Sequence, residues 1–293
     1  MNYEIDILQE LATLDPLDDR AFAILASDDE QFRLMAEAFS GKALDDDKLI
    51  NINGELALTV KGRLIRLDSL RDTTSGFFNL EGQVQASKFP FKRHVFYSAF
   101  IYVNGIQKGG AWDDLKPVIS IVIYKNKGDA HLMETASLTG TLAKTEDEIN
   151  QLTLIAVNTA KWKDAKSEDA RAYLATLHHG ILTKHNEADF QDVDVNSQAF
   201  IDFQHAVIMA CAQTKQQEYE EKGDEFMATK YVSFLSDEER IAAILKGKRE
   251  GKLEGLSLAW EIINLLKSNT PVSEIADRYM VSTSDVEKFK TAL

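Results

Sequence analysis

Residues 62–85 read GRLIRLDSLRDTTSGFFNLEGQVQ, and the way this stretch folds back on itself decides the architecture. Two runs of strand composition, Gly62–Leu70 and Phe77–Gln85, flank RDTTSG, whose small polar residues have the makeup of a turn. Side chains alternate between the two faces of a strand. In the first run Arg66 and Asp68 therefore share a face, with Leu67 on the other. In the second, Asn79, Glu81 and Gln83 share a face, opposite Phe78, Leu80 and Val84. Polar groups line up on one side of two neighbouring strands, and two of them are carboxylates.

Working outward, residues 17–39, LDDRAFAILASDDEQFRLMAEAF, place apolar side chains at helical spacing, and Asp28 and Asp29 stand where they can cap the second run. LININGELALTV, residues 49–60, has strand composition around Asn53-Gly54, a hairpin signal. Downstream, a helix opens near Pro90 and runs through FKRHVFYSAFIYVNGIQKG to Gly109-Gly110. It is apolar around much of its circumference, which predicts that it is largely buried. KPVISIVIY, residues 116–124, is a near-continuous apolar run of the kind covered on both faces of a sheet. Further strands are expected at 131–138 and 152–157. Helices and strands in this order predict an α/β core over residues 1–162.

Beyond Trp162 the sequence reads as helices, including DARAYLATLHHGI and SQAFIDFQHAVIMACAQTKQQEYEEK. We expect a helical region over 163–245 and a helical tail over 246–293. The tail carries Gly247, Gly251 and Gly255 as a small-residue ridge suited to close helix packing. Its last helix sets Asp285 and Glu287 beside Lys288 and Lys290, a poor match to a DNA groove. A packing module, or one joining copies into a homo-oligomer, fits it better than a DNA-reading helix-turn-helix.

The bulk properties suit a soluble protein: 293 residues, 44% hydrophobic and 27% charged. No run is long and apolar enough for a membrane helix, and the acidic N-terminus predicts no signal peptide. The lone Cys211 lies in an apolar run, as a small buried hydrophobe in a reducing, cytoplasmic setting would. The net charge of −14 argues against a polyanionic partner, but the average hides a reversal. Between Lys61 and Gly110 there are eight basic residues, including Arg66, Arg71, Lys88, Lys92 and Arg93, against three acidic ones. Such a local basic surface can steer and hold phosphates.

Asp68 and Glu81-Gly82-Gln83 are the residues with chemistry to offer. Two carboxylates on adjacent strands can hold a hard divalent cation through oxygen, and Mg²⁺ commonly takes only one or two protein carboxylates. Such a cation offsets charge on a scissile phosphate and acidifies an attacking water. Gln83, two residues past Glu81, points to the same side and can orient that water. By spacing alone, a solvated strand face explains the same pattern.

The surrounding sequence narrows the choice. Arg66-Leu67-Asp68, Leu80-Glu81-Gly82-Gln83, Lys92-Arg93 with Phe96-Tyr97, and Gly109 through Pro117 together resemble the recombination-promoting nuclease and transposase family of PD-(D/E)XK proteins. Asp19-Arg20-Ala21-Phe22 is similar to an early Asp-x-x-Phe of that family, and the glycine-rich tail is also family-like. The resemblance spans nearly the whole chain and is strongest from Val60 to Tyr124. It implies a restriction-endonuclease-like mixed sheet flanked by helices, with an all-helical C-terminal region. It also implies a metal-dependent DNA endonuclease using Mg²⁺ or Mn²⁺ in recombination or transposition.

In that reading Asp68 and Glu81 ligate the metal and the Gly82 carbonyl is a further ligand. Gln83 stands where many relatives in the wider superfamily carry a water-activating lysine. Asp19 supplies an additional carboxylate, and Lys92 and Arg93 meet the DNA backbone. Two departures stand out: Ala23 replaces the usual basic residue after Asp-x-x-Phe, and Gln83 carries no charge. Strand parity suggests that Arg66 supplies the missing charge. For Asp19 a helix cap or a solvated acid is the alternative, while His94 is expected to be a packing histidine and Tyr97 a core aromatic. A catalytically inactive fold that binds DNA or protein is the alternative to the enzyme.

Overall fold

The computed structural model describes residues 2–44, 50–51, 67–84, 91–105, 110–111, 114–126, 128, 131–137, 151–183 and 186–236, with five single positions between 271 and 286. The chain divides into two compact units, residues 1–236 and 237–293. The first unit therefore continues past the core boundary expected at 162 and takes in the helices that follow. In the second, Ile275 and Val286 are fully buried.

The expected α/β architecture is present. Among the described residues six strands form one mixed sheet in the order β1-β2-β3-β4-β6-β5: Ile50–Asn51, Ser69–Thr73, Gly76–Gln83, Val118–Tyr124, Met133–Ser137 and Leu152–Asn158 for β1 to β6. Antiparallel pairing joins β1, β2 and β3, parallel pairing joins β3, β4 and β6, and β5 closes the far edge antiparallel to β6. Every residue of β4 is buried, as its unbroken apolar run predicts for a strand flanked by parallel neighbours.

The hairpin that decides the fold is shifted from its sequence reading. Among the described residues the first strand begins at Ser69, so Asp68 occupies the bend that enters it, and Arg71 to Thr73, expected in the turn, are paired strand. The turn shrinks to Thr74-Ser75. Thr73 Oγ1 donates to the Gly76 carbonyl at 2.7 Å, and Gly76 takes φ 142°, a conformation that disfavours any other residue. A Cβ there would also stand 2.5 Å from the Pro117 carbonyl oxygen. The Asn53-Gly54 hairpin signal lies outside the described residues.

Seven α-helices have their bounds among the described residues: α1 Asn2–Leu11, α2 Asp19–Ser27, α3 Asp29–Ser40, α4 Phe91–Asn104, α5 Glu168–His179, α6 Gln198–Glu221 and α7 Glu225–Leu235. Of these, α2, α3 and α4 pack on the sheet, while α1 and α7 pack on α6. Local chemistry sets several of their ends. Asp28 caps α3 by accepting the Gln31 N–H at 2.9 Å, and Gly41 closes it in the left-handed conformation. Ser167 and Ser197 cap α5 and α6 in the same way. No helix among the described residues is long and apolar enough to cross a membrane.

Two helices lie on opposite faces of β3. Phe22 of α2 packs on the face carrying Phe78, Leu80 and Gly82. On the other face Ser98 of α4 donates to Ser120 Oγ at 2.8 Å, and Ser120 is the β4 neighbour of Asn79. The α4 helix corrects two expectations. It ends at Asn104, where Gly105 lies so close to Phe77 that a Cβ would sit 2.6 Å from Cε2. It is also not buried all round: His94 and Ser98 face inward, while Phe91, Val95, Phe96 and Val103 are exposed. The reason is the sheet beneath it, whose Asn79, Glu81 and Ser120 require polar partners.

Arg71 is a further correction. Far from belonging to a basic surface, it is fully buried. Its guanidinium donates to the Ala26 and Ser27 carbonyls at 3.3 and 2.8 Å, pairs with Asp29 at 3.1 Å, and lies over the Phe32 ring. It thereby satisfies the orphan carbonyls at the end of α2 and fixes the α2–α3 corner against β2.

Candidate active site

A cavity of about 730 Å³ opens beside the end of β3, and Asp18, Asp19, Asp68, Glu81, Arg93 and Tyr97 are among the residues that line it. Each arrives from a different local device. Asp68 is held by the bend before β2, where its Oδ2 accepts the Gly82 N–H at 2.8 Å. Glu81 lies in the buried centre of β3, only 4% exposed, and its Oε1 accepts from Asn79 Nδ2 at 3.2 Å. Glu81 and Asn79 are two residues apart on one face, as strand parity predicts.

Gly82 links the dyad to α2. A Cβ at this position would stand 2.5 Å from Cγ of Phe22, so only glycine lets the helix approach the strand. Asp19 precedes Phe22 by three residues and shares its helix face. The packing of Phe22 on Gly82 therefore carries Asp19 to the cavity. Asp19 is not the helix cap; Asp18 is, accepting the Arg20 N–H at 3.2 Å. The carboxylate of Asp19 is left to the cavity, where its charge acts on Asp68.

The electrostatics of the dyad are unfavourable as they stand. Burial, with the charge of Asp19, raises Asp68 to about 6 against the Gly82 N–H and Arg93. Burial and then the charge of Asp68 raise Glu81 further, to about 8, opposed by Asn79, the Asp68 backbone and Arg93. Removal from water disfavours the charged form of a carboxyl group, and a neighbouring negative charge disfavours it further.

Arg93 is the cation that faces them. From the first turn of α4 its Nη2 donates to Gln83 Oε1 at 2.8 Å and to His94 Nε2 at 3.3 Å, and its guanidinium lies 5.9 Å from the centre of the Tyr97 ring. Burial and Arg93 lower His94 to about 4, so it stays neutral and accepts this bond. His94 is a support for Arg93, close to the packing role expected of it. Tyr97, expected to be a core aromatic, instead lines the cavity.

The sequence reading placed Arg93 on the DNA backbone and looked to Arg66 for charge; Arg66 and Lys88 lie outside the described residues. Lys92 is exposed on α4. Helix α6 contributes residues that no sequence motif signals: its Glu218 and Glu221 form part of the cavity wall, with Arg20 paired to Glu221 at 3.2 Å. Nothing near Glu218 in sequence marks it, because it reaches the cavity only through helix packing. Cys211 is fully buried, and burial pushes its thiol up to about 12, which makes it inert.

Among the described residues no group of three or more His, Cys, Asp or Glu side chains is placed to hold a metal ion by itself. The oxygen donors that could hold one there are the carboxylates of Asp68 and Glu81, with Asp19 lining the same cavity. Oxygen donors in this number suit a hard cation that keeps several waters, such as Mg²⁺ or Mn²⁺, and do not suit zinc or copper.

A family model described as PD-(D/E)XK nuclease family transposase matches residues 47–236. That span contains the dyad, Gln83, α4 and α6 and begins after Asp19. No curated protein and no solved structure matches the chain.

Proposed function

The chain belongs to the PD-(D/E)XK nuclease family transposases, and from that membership and the cavity's geometry we propose that it is a metal-dependent endonuclease hydrolysing DNA phosphodiester bonds in recombination or transposition. The observation that carries this reading is one cavity lined by two carboxylates, Asp68 at the bend before β2 and Glu81 buried in β3. Both are held above the ordinary carboxylate range, Asp68 by burial and the charge of Asp19 and Glu81 by burial and the charge of Asp68. A divalent cation is the partner that would relieve both.

Asp68 and Glu81 would hold the cation, with the Gly82 carbonyl as a further oxygen. The cation would supply neutralisation of the scissile phosphate and acidification of a water. Gln83, two residues beyond Glu81 and bonded to Arg93, would orient that water by hydrogen bonding. Asp19 adds negative charge from the far side and helps hold the cation's waters. Lys92, exposed on α4, contacts the DNA backbone. Arg66 and Lys88 are proposed to extend that contact.

One observation favours the rival reading of a non-catalytic DNA- or protein-binding fold: Gln83 has no charge of its own. Plasmid nicking separates the two. With Mg²⁺ the protein is expected to nick supercoiled DNA, and EDTA or Glu81→Ala is expected to abolish nicking while DNA binding persists. A folded protein that binds DNA but cuts it in neither Mg²⁺ nor Mn²⁺ would establish the rival.

A further inference from the structure

We infer that Arg93 is a catalytic residue of the proposed hydrolysis: it supplies from α4 the positive charge on the scissile phosphate that neutral Gln83 cannot supply from β3. The inference rests on the nuclease reading above and assigns a role to a side chain that the sequence places only among backbone-binding bases.

The geometry supports it in three ways. First, Arg93 is anchored at the site itself: its Nη2 bonds to Gln83 at 2.8 Å and to His94 at 3.3 Å, and its guanidinium lies beside Tyr97. A guanidinium held on a helix by three supports is preorganised, which is what electrostatic catalysis requires. Secondly, both bonds use Nη2, so among the described residues the Nε and Nη1 hydrogens are left for an incoming phosphate oxygen. The planar donor fork matches that geometry. Thirdly, Arg93 lines the same cavity as Asp68 and Glu81, and its charge acts on both. Lys92, the next residue, does neither.

The chemistry fixes the kind of role. Hydrolysis forms a bond from a water oxygen to phosphorus and breaks the bond from phosphorus to a sugar oxygen. The water gives up a proton to solvent and the departing oxygen takes one from solvent. Negative charge builds on the phosphoryl oxygens between these events. A guanidinium offers only N–H donors and no acceptor, so Arg93 is no base. It stabilises that charge, and Gln83 holds it in register.

The test compares wild type, Arg93→Met, Arg93→Lys and Gln83→Lys/Arg93→Met. Single-turnover cleavage is measured at saturating DNA with Mg²⁺, and DNA affinity is measured separately with Ca²⁺ and with EDTA over a range of salt. Thermal melts check folding of each variant. Arg93→Met is expected to cut about 10²–10³-fold more slowly, the range for loss of one preorganised donor, with affinity reduced only a few-fold. Arg93→Lys should recover part of the rate, and a lysine at position 83 should recover part of it on the strand side.

An Arg93→Met protein cleaving within about threefold of wild type at saturating DNA would sink the inference and leave the nuclease intact. So would a loss confined to affinity, with the salt slope of binding falling by about one, which marks an ordinary phosphate contact. A wild type that binds DNA and never cuts it would remove the nuclease reading, and this inference with it.

Discussion

The two helices that face β3 from opposite sides, α2 and α4, solve opposite problems. α2 brings an apolar face to an apolar sheet surface: Ala21, Phe22, Leu25 and Ala26 are buried, and Phe22 meets the bare backbone of Gly82. α4 brings a mixed face to the other side: His94 and Ser98 point in over the polar part of the sheet, Ile101 is buried against Leu70, Phe77 and Val118, and Phe91, Phe96 and Val103 remain outside. Hydrophobic burial is non-directional, so α2 is located by shape and by the Arg71 tie at its end. Hydrogen bonds are directional, so α4 is located by Ser98–Ser120 and by Arg93–Gln83. The active-site groups stand where the two kinds of packing meet. Glu81 is buried there and Asp68 partly so, and the guanidinium of Arg93 lines the same cavity.

The largest effect that would break this contrast is expected from Arg71→Met. Removing the guanidinium leaves the Ala26 and Ser27 carbonyls and Asp29 without their partner. Losing one member of a buried ionic network costs about 3–5 kcal/mol, though the exposure of Asp29 places this case towards the low end. Urea denaturation should show it as a fall in midpoint. A loss below about 1 kcal/mol would mean that α2 is held by apolar packing alone.

Next comes the pH dependence of the metal-free protein. Glu81 holds its proton to about 8 in the fold, against an ordinary value of 4.5. Between those values the folded chain binds more protons than the unfolded one, so stability falls as pH rises. One proton permits a slope of at most about 1.4 kcal/mol per pH unit. Melts in EDTA from pH 5 to pH 8 are expected to decline, and Glu81→Gln, which cannot ionise, should flatten that decline. Saturating Mg²⁺ should reverse it by binding the ionised pair. An unchanged slope in Glu81→Gln would show that other groups set the dependence.

Gly82→Ala sharpens the α2 side and is expected to be milder. The added methyl would meet Cγ of Phe22 at 2.5 Å, and overpacking of this kind costs about 1–3 kcal/mol. Because Asp19 rides on the same helix face, cleavage should fall as well. Phe22→Ala in the same chain should relieve the clash, seen as a smaller stability loss than the two single changes predict together. Strict additivity would show that the strand, and not the helix, gives way.

Much of this was legible in the sequence, for a physical reason. Alternation along a strand follows from covalent geometry, so Asn79 and Glu81 could be placed on one face from residue order alone. Capping is equally local: Asp28 lies beside the N–H it satisfies, and a run such as VISIVIY admits few environments besides the middle of a sheet. The α/β class followed from those elements in order, and the family from the residues around Asp68 and Glu81. The errors fell where a neighbour distant in sequence decides. Arg71 resembled a surface base until α2 supplied its carbonyls. The apolar residues of α4 resembled a helix buried all round until the sheet covered only one side of it, Phe100 and Ile101 included, and left Phe91, Val95, Phe96 and Val103 outside.

The sequence by itself determined which residues have chemistry to offer and which side of their own strand they occupy, because both are properties of a few consecutive bonds. Only the tertiary structure decided that Arg93 meets Gln83, that Gly82 makes room for the helix carrying Asp19, and that α6 lends acidic residues to the wall. Those are meetings between segments separated by ten to two hundred residues. They depend on how whole faces pack, and no local preference encodes that.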